Sequence, residues 1–168
     1  MDIAALITWI ITAGGGFYLL ATWIAKGGAR RTEAGATRFP PAVIFSHLLL
    51  AAAGLVVWII YLAVDMDALA WTAFGLLAVV ALLGFTMFAL WLPTYRAHHT
   101  GRVHAPTATP VHAGGPAHRR AAPGPEERLD AAGPAERHFP VPVVALHGLL
   151  AATTLVLVLL TALNIGGS

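Results

Sequence analysis

The chain has 168 residues, of which 58% are hydrophobic and 11% are charged, with 10 Lys and Arg, 8 Asp and Glu, and no cysteine. Soluble domains carry about 25% charged residues, so this composition excludes an ordinary soluble protein and favours a membrane protein. The absence of cysteine excludes disulfides, thiolate metal sites and cysteine nucleophiles. Because the net charge is only +2, nucleic-acid binding has no support.

Four apolar windows follow one another along the chain, each long enough to cross a hydrocarbon layer about 30 Å thick. Lipid offers no partners to backbone N–H and C=O groups, so segments of this length must be helices. We therefore predict an all-α, integral membrane four-helix bundle. The first window follows an acidic residue rather than a basic stretch, which favours a retained span over a cleaved signal peptide. The predicted spans are residues 3–25, 42–64, 68–92 and 141–163.

The charged residues predict the orientation. All ten Lys and Arg fall into two segments on one side of the predicted bundle, whereas the other side carries Asp2, Asp65 and Asp67. The positive-inside rule then predicts a multi-pass protein of the plasma (inner) membrane, with both termini outside and both basic loops in the cytoplasm.

The second basic segment, residues 93–140, differs in composition from the rest. It is rich in Ala, Pro, Gly, His and Arg, and it has few large apolar residues. Such a segment cannot bury enough surface to offset the loss of chain entropy, so we predict that most of it is disordered.

A short sequence string occurs twice, one hundred residues apart. Residues 39–52 and 139–152 are identical at eight of fourteen positions, including Phe-Pro at the start and His47 and His147 in the middle. Residues 16–23 and 84–91 match more weakly, sharing Gly-Phe-x-x-x-Ala-x-Trp. This pattern predicts a tandem duplication of a two-helix unit, with the first repeat at 1–64 and the second at 65–168.

The repeated histidines lie within apolar spans. Proline favours the first turn of a helix, so Phe-Pro predicts where each of these two spans begins. At 1.5 Å per residue, both histidines then lie about 8–10 Å inside the membrane at equal depth. Polar side chains at such a depth are costly and usually have a partner.

A haem group held by two axial histidines is the partner that fits best. In an up-down-up-down bundle the second and fourth spans are diagonal, so the two imidazoles would reach inward to a flat group between them. One and two turns beyond the histidines lie the small residues Ala51, Gly54 and Ala151. These would leave room for the macrocycle.

Arginines near the same membrane boundary could pair with the haem propionates through forked hydrogen bonds. The candidates are Arg38 and Arg137, together with Arg96. Each could equally be an ordinary topology-setting charge.

The layout resembles small four-helix membrane cytochromes of the b type, which clamp haem between histidines on two spans. The resemblance rests on the four spans and on His47 and His147. It implies haem b and a role in electron transfer or haem handling near the cytoplasmic face. Cytochrome b561-type proteins use two histidine pairs, whereas this chain has one pair in its spans. The resemblance therefore implies a single redox centre that exchanges electrons with quinone, a soluble donor or a respiratory complex.

Other interpretations remain open at this point. The histidines could hydrogen-bond to neighbouring helices in a cofactor-free membrane scaffold or assembly subunit. A small transporter or channel is a third class, and a homodimer is compatible with the Gly and Ala content of the spans. No hydrolase or transferase motif is present. Six further histidines could bind a divalent metal; they are His98, His99, His104, His112, His118 and His138.

Overall fold

A computed structural model describes residues 1–30, 37–100 and 134–165, without the side chains of residues 30 and 97–100. The described part is helical and contains four helices long and apolar enough to span a membrane. This confirms the predicted class. The helices are α1 (Asp2–Ala25), α2 (Pro41–Val64), α3 (Asp67–Thr100) and α4 (Val141–Ala162).

Proline and a tight turn determine where the middle helices begin and end. Pro40 and Pro140 are the N-cap residues of α2 and α4, and each helix has a further proline in its first turn. Proline has no backbone N–H, so it fits the first turn of a helix, where an N–H would have no intrahelical acceptor. Asp65 closes α2 in the left-handed conformation, with φ 50° and ψ 46°, which aspartate tolerates better than most residues. The chain therefore reverses within a few residues into α3.

The helices form an antiparallel bundle in which α2 packs mainly against α3 and α1 mainly against α4. Helices α3 and α4 join the two pairs along one side, whereas α1 and α2 touch only slightly. Helices α2 and α4 are thus diagonal, as predicted. We call the end with Lys26, Arg38 and Arg137 the basic end, and the end with Asp2 and the α2–α3 turn the acidic end.

Two stretches of the 93–140 segment are helical in the described part. Helix α3 continues through Pro93 to Thr100, beyond the predicted limit of residue 92. Tyr95 stacks on Trp91 with ring centroids 5.0 Å apart, which supports the start of this extension. A short 3₁₀ helix, Ala135–His138, also precedes α4, with Ala135 and Glu136 buried. These two stretches of the 93–140 segment are therefore helical, while residues 101–133 lie outside the described part.

Buried residues form two separate clusters, one towards each end of the bundle. The acidic-end cluster contains Trp9, Trp58, Tyr61 and Val158, together with alanines of α1, α3 and α4. The basic-end cluster consists of Trp23, Phe39, Ile44, Trp91 and Ala135. Between the clusters lies the layer that contains the two repeated histidines.

Candidate functional site: a histidine pair between two packed clusters

The structure brings His47 and His147 together in the centre of the bundle. Their ring centroids are 6.4 Å apart, and the ring planes are inclined by 52°. The side chains come from the diagonal helices α2 and α4, so each must reach inward for the rings to approach. The predicted juxtaposition of the two imidazoles at one level is therefore present.

Each imidazole is held by a carbonyl of the neighbouring helix in its pair. Nδ1 of His47 donates to the carbonyl oxygen of Val80 at 3.0 Å, and Nδ1 of His147 donates to that of Thr12 at 2.9 Å. A carbonyl can only accept, so in the neutral ring Nδ1 carries the hydrogen and Nε2 keeps its lone pair. Within the described residues, neither Nε2 makes a hydrogen bond. This is how a metal-ligating histidine is commonly oriented by a second interaction.

Two glycines allow the rings to lie against the helix backbone. A Cβ added at Gly16 would lie 3.1 Å from Cε1 of His147, and one added at Gly84 would lie 3.2 Å from Cε1 of His47. Real Cβ atoms seldom come so close to another atom. Thr12 and Gly16 therefore support the ring of His147, and Val80 and Gly84 support the ring of His47 in the same way.

Side chains of the histidine layer are less completely buried than those of the clusters on either side. None of residues 13–22 in α1, 45–53 in α2, 81–90 in α3 or 141–153 in α4 is buried. The shortest of these runs extends about 14 Å along its helix at 1.5 Å per residue. Even His47 and His147, which face the bundle centre, remain partly exposed.

The small residues predicted to flank the histidines occupy two different environments. Ala51 and Ala151 lie one turn beyond the histidines and are partly exposed, and Ala51 packs against the acidic-end cluster. Gly54 is buried instead against Trp9, since a Cβ built there would lie 3.1 Å from the indole. Gly54 therefore belongs to the packed acidic-end cluster, and the indole occupies the space that the glycine was predicted to leave for a macrocycle.

The arginines Arg38 and Arg137 lie at the basic end with exposed side chains. The structure ties the Arg38 backbone to a carboxylate that the sequence did not single out. Arg38 N–H donates to Oε1 of Glu136 at 2.7 Å, and the Thr37 hydroxyl donates to Oε2 at 3.0 Å. Trp23 Nε1 in turn donates to the Thr37 hydroxyl at 3.0 Å.

Glu136 has 0% exposure, so its carboxylate is fully buried at the basic end of the bundle. We call Trp23, Thr37, Arg38 and Glu136 the basic-end clasp. Its sequence signal is weak, because Glu136 stands in a polar segment that has no hydrophobic periodicity.

The histidines outside the spans do not extend the site in the described part of the chain. His138 is exposed, and its Nδ1 lies 3.3 Å from the carbonyl oxygen of Ala135 in the same 3₁₀ turn. His104, His112 and His118, and the side chains of His98 and His99, lie outside the described part. Among the described residues, no group of three or more His, Cys, Asp or Glu side chains could hold a metal ion.

Threonine hydroxyls make further polar contacts between α1 and α4. The Thr154 hydroxyl lies 3.0 Å from that of Thr8, and the Thr161 hydroxyl donates to Oδ1 of Asp2 at 3.0 Å. Between these two contacts lie Ala5 and Val158, both with 0% exposure. The described hydroxyls therefore do not form a continuous polar path from the histidine layer to the acidic end.

The fold and the site define a class: a multi-pass helical membrane bundle with a histidine pair at its centre. Comparison with protein-family models, with curated proteins and with solved structures found no match to this chain.

Proposed function

We propose that the protein is a b-type cytochrome that binds one haem between His47 and His147 and serves electron transfer or haem handling. The observation that carries the proposal is the paired geometry of the two rings. Each Nδ1 is occupied by a main-chain carbonyl, each Nε2 is left as a potential ligand, and the rings lie 6.4 Å apart.

The ring spacing is compatible with one metal ion between the imidazoles. A metal–imidazole bond is about 2.0 Å long, and with roughly 1.1 Å from nitrogen to ring centre on each side the two rings would be about 6.2 Å apart. Two protein ligands suffice for a haem iron because the porphyrin supplies the other four nitrogens. A metal without a macrocycle would need further protein ligands, and the described residues offer no such group. When bound, the haem would supply one-electron chemistry.

The partly exposed histidine layer supports the same proposal. It separates two buried clusters and contains the small residues Gly16, Gly84, Ala51 and Ala151 around the histidines. A flat apolar ligand of porphyrin size would pack against these small residues and cover their exposed surface. Arg38 and Arg137, at the basic end, would be available to the propionates.

The competing function is a cofactor-free membrane scaffold or assembly subunit. The two carbonyl hydrogen bonds favour it as well, since they satisfy one nitrogen of each ring without a ligand. It leaves the other nitrogen of both rings without a hydrogen-bond partner in the described residues. The third class, a transporter or channel, has less support, because apolar side chains interrupt the threonine contacts.

The visible spectrum of the protein purified in mild detergent tests the proposal. A bis-histidine haem gives a Soret band and, after dithionite reduction, sharp α and β bands. His47→Ala and His147→Ala should each abolish these bands, while the matched replacement His138→Ala should retain them. Wild-type protein that is supplied with haem during expression and still lacks the bands would refute the proposal.

We further propose a tandem duplication and an orientation. Support for the duplication comes from equivalent contacts made by residues at matching positions: Thr12 and Val80 are 68 residues apart, as are Gly16 and Gly84. The distribution of Lys and Arg supports a plasma-membrane protein with its basic end in the cytoplasm. Reporter fusions to the C-terminus and to the 101–133 segment, assayed for periplasmic and cytoplasmic activity, test this orientation.

A further inference from the structure

We infer that the basic end is the docking face for an acidic, soluble electron-transfer partner. The inference rests on the proposed haem site and adds to it the side of the bundle on which electrons are exchanged and the chemistry of the partner.

The histidine pair lies much nearer to the basic end than to the acidic end. His47 is six residues from the start of α2 and seventeen from its end, about 9 Å and 26 Å along the helix axis. His147 is six residues from the start of α4, so it lies at the same level. Electron-transfer rates fall exponentially with distance, and exchange across the basic end is therefore far faster.

The packing on the two sides of the histidine layer also favours electron exchange at the basic end. On the acidic side, Trp9, Trp58, Tyr61 and Val158 form a thick buried cluster. On the basic side, Trp91 stacks on Tyr95, and Tyr95 is partly exposed at the end of the bundle. The basic-end cluster is thus a thin aromatic cover between the histidine layer and water.

The basic end presents cations from the ends of all four helices. Lys26 follows α1, Arg38 precedes α2, and Arg137 precedes α4, all three with exposed side chains. Arg96 lies on α3 at the same end. Lys26, Arg38, Arg96 and Arg137 are all the Lys and Arg residues whose side chains the structure describes, and all four lie at this end.

The clasp hides the one carboxylate that the described residues place at this end. Glu136 has 0% exposure, and its oxygens accept hydrogen bonds from Thr37 and from the Arg38 backbone. The Glu136 carboxylate is buried, whereas the side chains of Lys26, Arg38 and Arg137 are exposed to water. A positive surface over a nearby redox centre attracts negatively charged partners and raises their association rate.

The experiment uses the full-length protein in nanodiscs of zwitterionic lipid, in which both ends are accessible. Stopped-flow absorbance follows the loss of the reduced α band as one electron passes from the haem to ferricyanide, giving ferrocyanide. The cation tris(phenanthroline)cobalt(III) is the oxidant of opposite charge. The test variants are Lys26→Glu/Arg38→Glu/Arg137→Glu and its neutral counterpart with three glutamines. The control variant is Asp65→Lys/Asp67→Lys, at the acidic end.

At low ionic strength, the glutamate variant should react about tenfold more slowly with ferricyanide and faster with the cobalt complex, with the glutamine variant in between. The differences should disappear near 1 M salt, where the screening length is about 3 Å. The acidic-end control should keep the wild-type rates. Wild-type rates in the glutamate variant, or an equal effect of the control, would overturn the inference.

A binding measurement separates this inference from the proposed function. A soluble poly-glutamate peptide should bind the wild-type protein and the acidic-end control in zwitterionic nanodiscs, with or without haem, and should not bind the glutamate variant. Absence of the haem bands from the wild-type protein would refute the proposed function and with it the electron-transfer role of the partner, while peptide binding would still show an acidic docking face. Equal binding to all variants would refute the docking face alone.

Discussion

The carbonyl oxygens of Thr12 and Val80, 68 residues apart in the chain, hold the two central histidines in the same way. Each accepts from an Nδ1 at about the hydrogen-bond optimum, 2.9 Å for Thr12 and 3.0 Å for Val80. One carbonyl belongs to α1 and the other to α3, so each helix pair supplies one imidazole and its support. The two helix pairs therefore support the two rings in the same way.

The glycines beside the imidazoles should determine haem affinity. Gly16→Ala or Gly84→Ala would place a methyl group 3.1 or 3.2 Å from a histidine Cε1, so the ring must tilt. Displacing the support of a metal-ligating histidine typically costs 10–100-fold in affinity. We expect a loss of about tenfold in haem titrations of the apoprotein.

Gly14→Ala is the matched control in α1, because a Cβ at Gly14 has nothing within 4 Å. Equal haem affinity in Gly14→Ala and Gly16→Ala would show that the close contact has no role in binding.

Free imidazole should replace a missing histidine side chain. In His47→Gly or His147→Gly, the vacated space lies beside a carbonyl that has lost its imidazole N–H donor. A soluble imidazole can therefore occupy this space and donate to the carbonyl. We expect millimolar imidazole to restore most of the reduced α band in each variant. N-methylimidazole cannot donate to the carbonyl while it ligates a metal, so it should restore less. Equal rescue by both compounds would contradict the role given to the carbonyls.

Glu136 should stabilise the fold without affecting the histidine pair. Glu136→Ala leaves the Arg38 N–H and the Thr37 hydroxyl without their acceptor. Because both hydrogen bonds are only partly buried, we expect a loss of about 1 kcal/mol, the lower end of the range for buried groups. The free energy of unfolding in detergent measures this loss, and Arg137→Ala at the neighbouring exposed position should change it little. The haem bands of folded Glu136→Ala should match the wild type. An unchanged unfolding free energy would argue against the clasp.

Two adjacent threonines of α4 should differ in their contribution to stability. Thr154 is buried and lies 3.0 Å from the hydroxyl of Thr8 in α1, whereas the exposed Thr153 donates only to Leu149 of its own helix. Replacement by the isosteric valine removes a contact between helices only at Thr154. Hydrogen bonds of this type average about 0.6 kcal/mol in membrane proteins. We expect a loss of that order for Thr154→Val and almost none for Thr153→Val, measured as unfolding free energies. The reverse order would contradict the packing of α4 on α1.

The sequence by itself determined the class of the protein, because a long apolar segment in lipid must satisfy its backbone groups within a helix. It also predicted that the repeated histidines lie at equal depth, because each stands seven residues after the Phe-Pro dipeptide where its helix begins. These conclusions depend on length, hydropathy and local spacing. Length, hydropathy and local spacing can all be determined from residues that are close together in the sequence.

Only the tertiary structure decided which side of each helix faces inward. In lipid the outside of a bundle is as apolar as its core, so hydrophobic periodicity does not distinguish the two faces. Three features of the site depend on contacts between residues that are 33 to 135 positions apart in the chain. They are the approach of His47 to His147, the hydrogen bonds of these rings to Val80 and Thr12, and the contact of the buried Glu136 with the Arg38 backbone. The break in the core at the histidine layer likewise arises from how four helices pack together, since side chains from distant parts of the chain fill or leave open the same space.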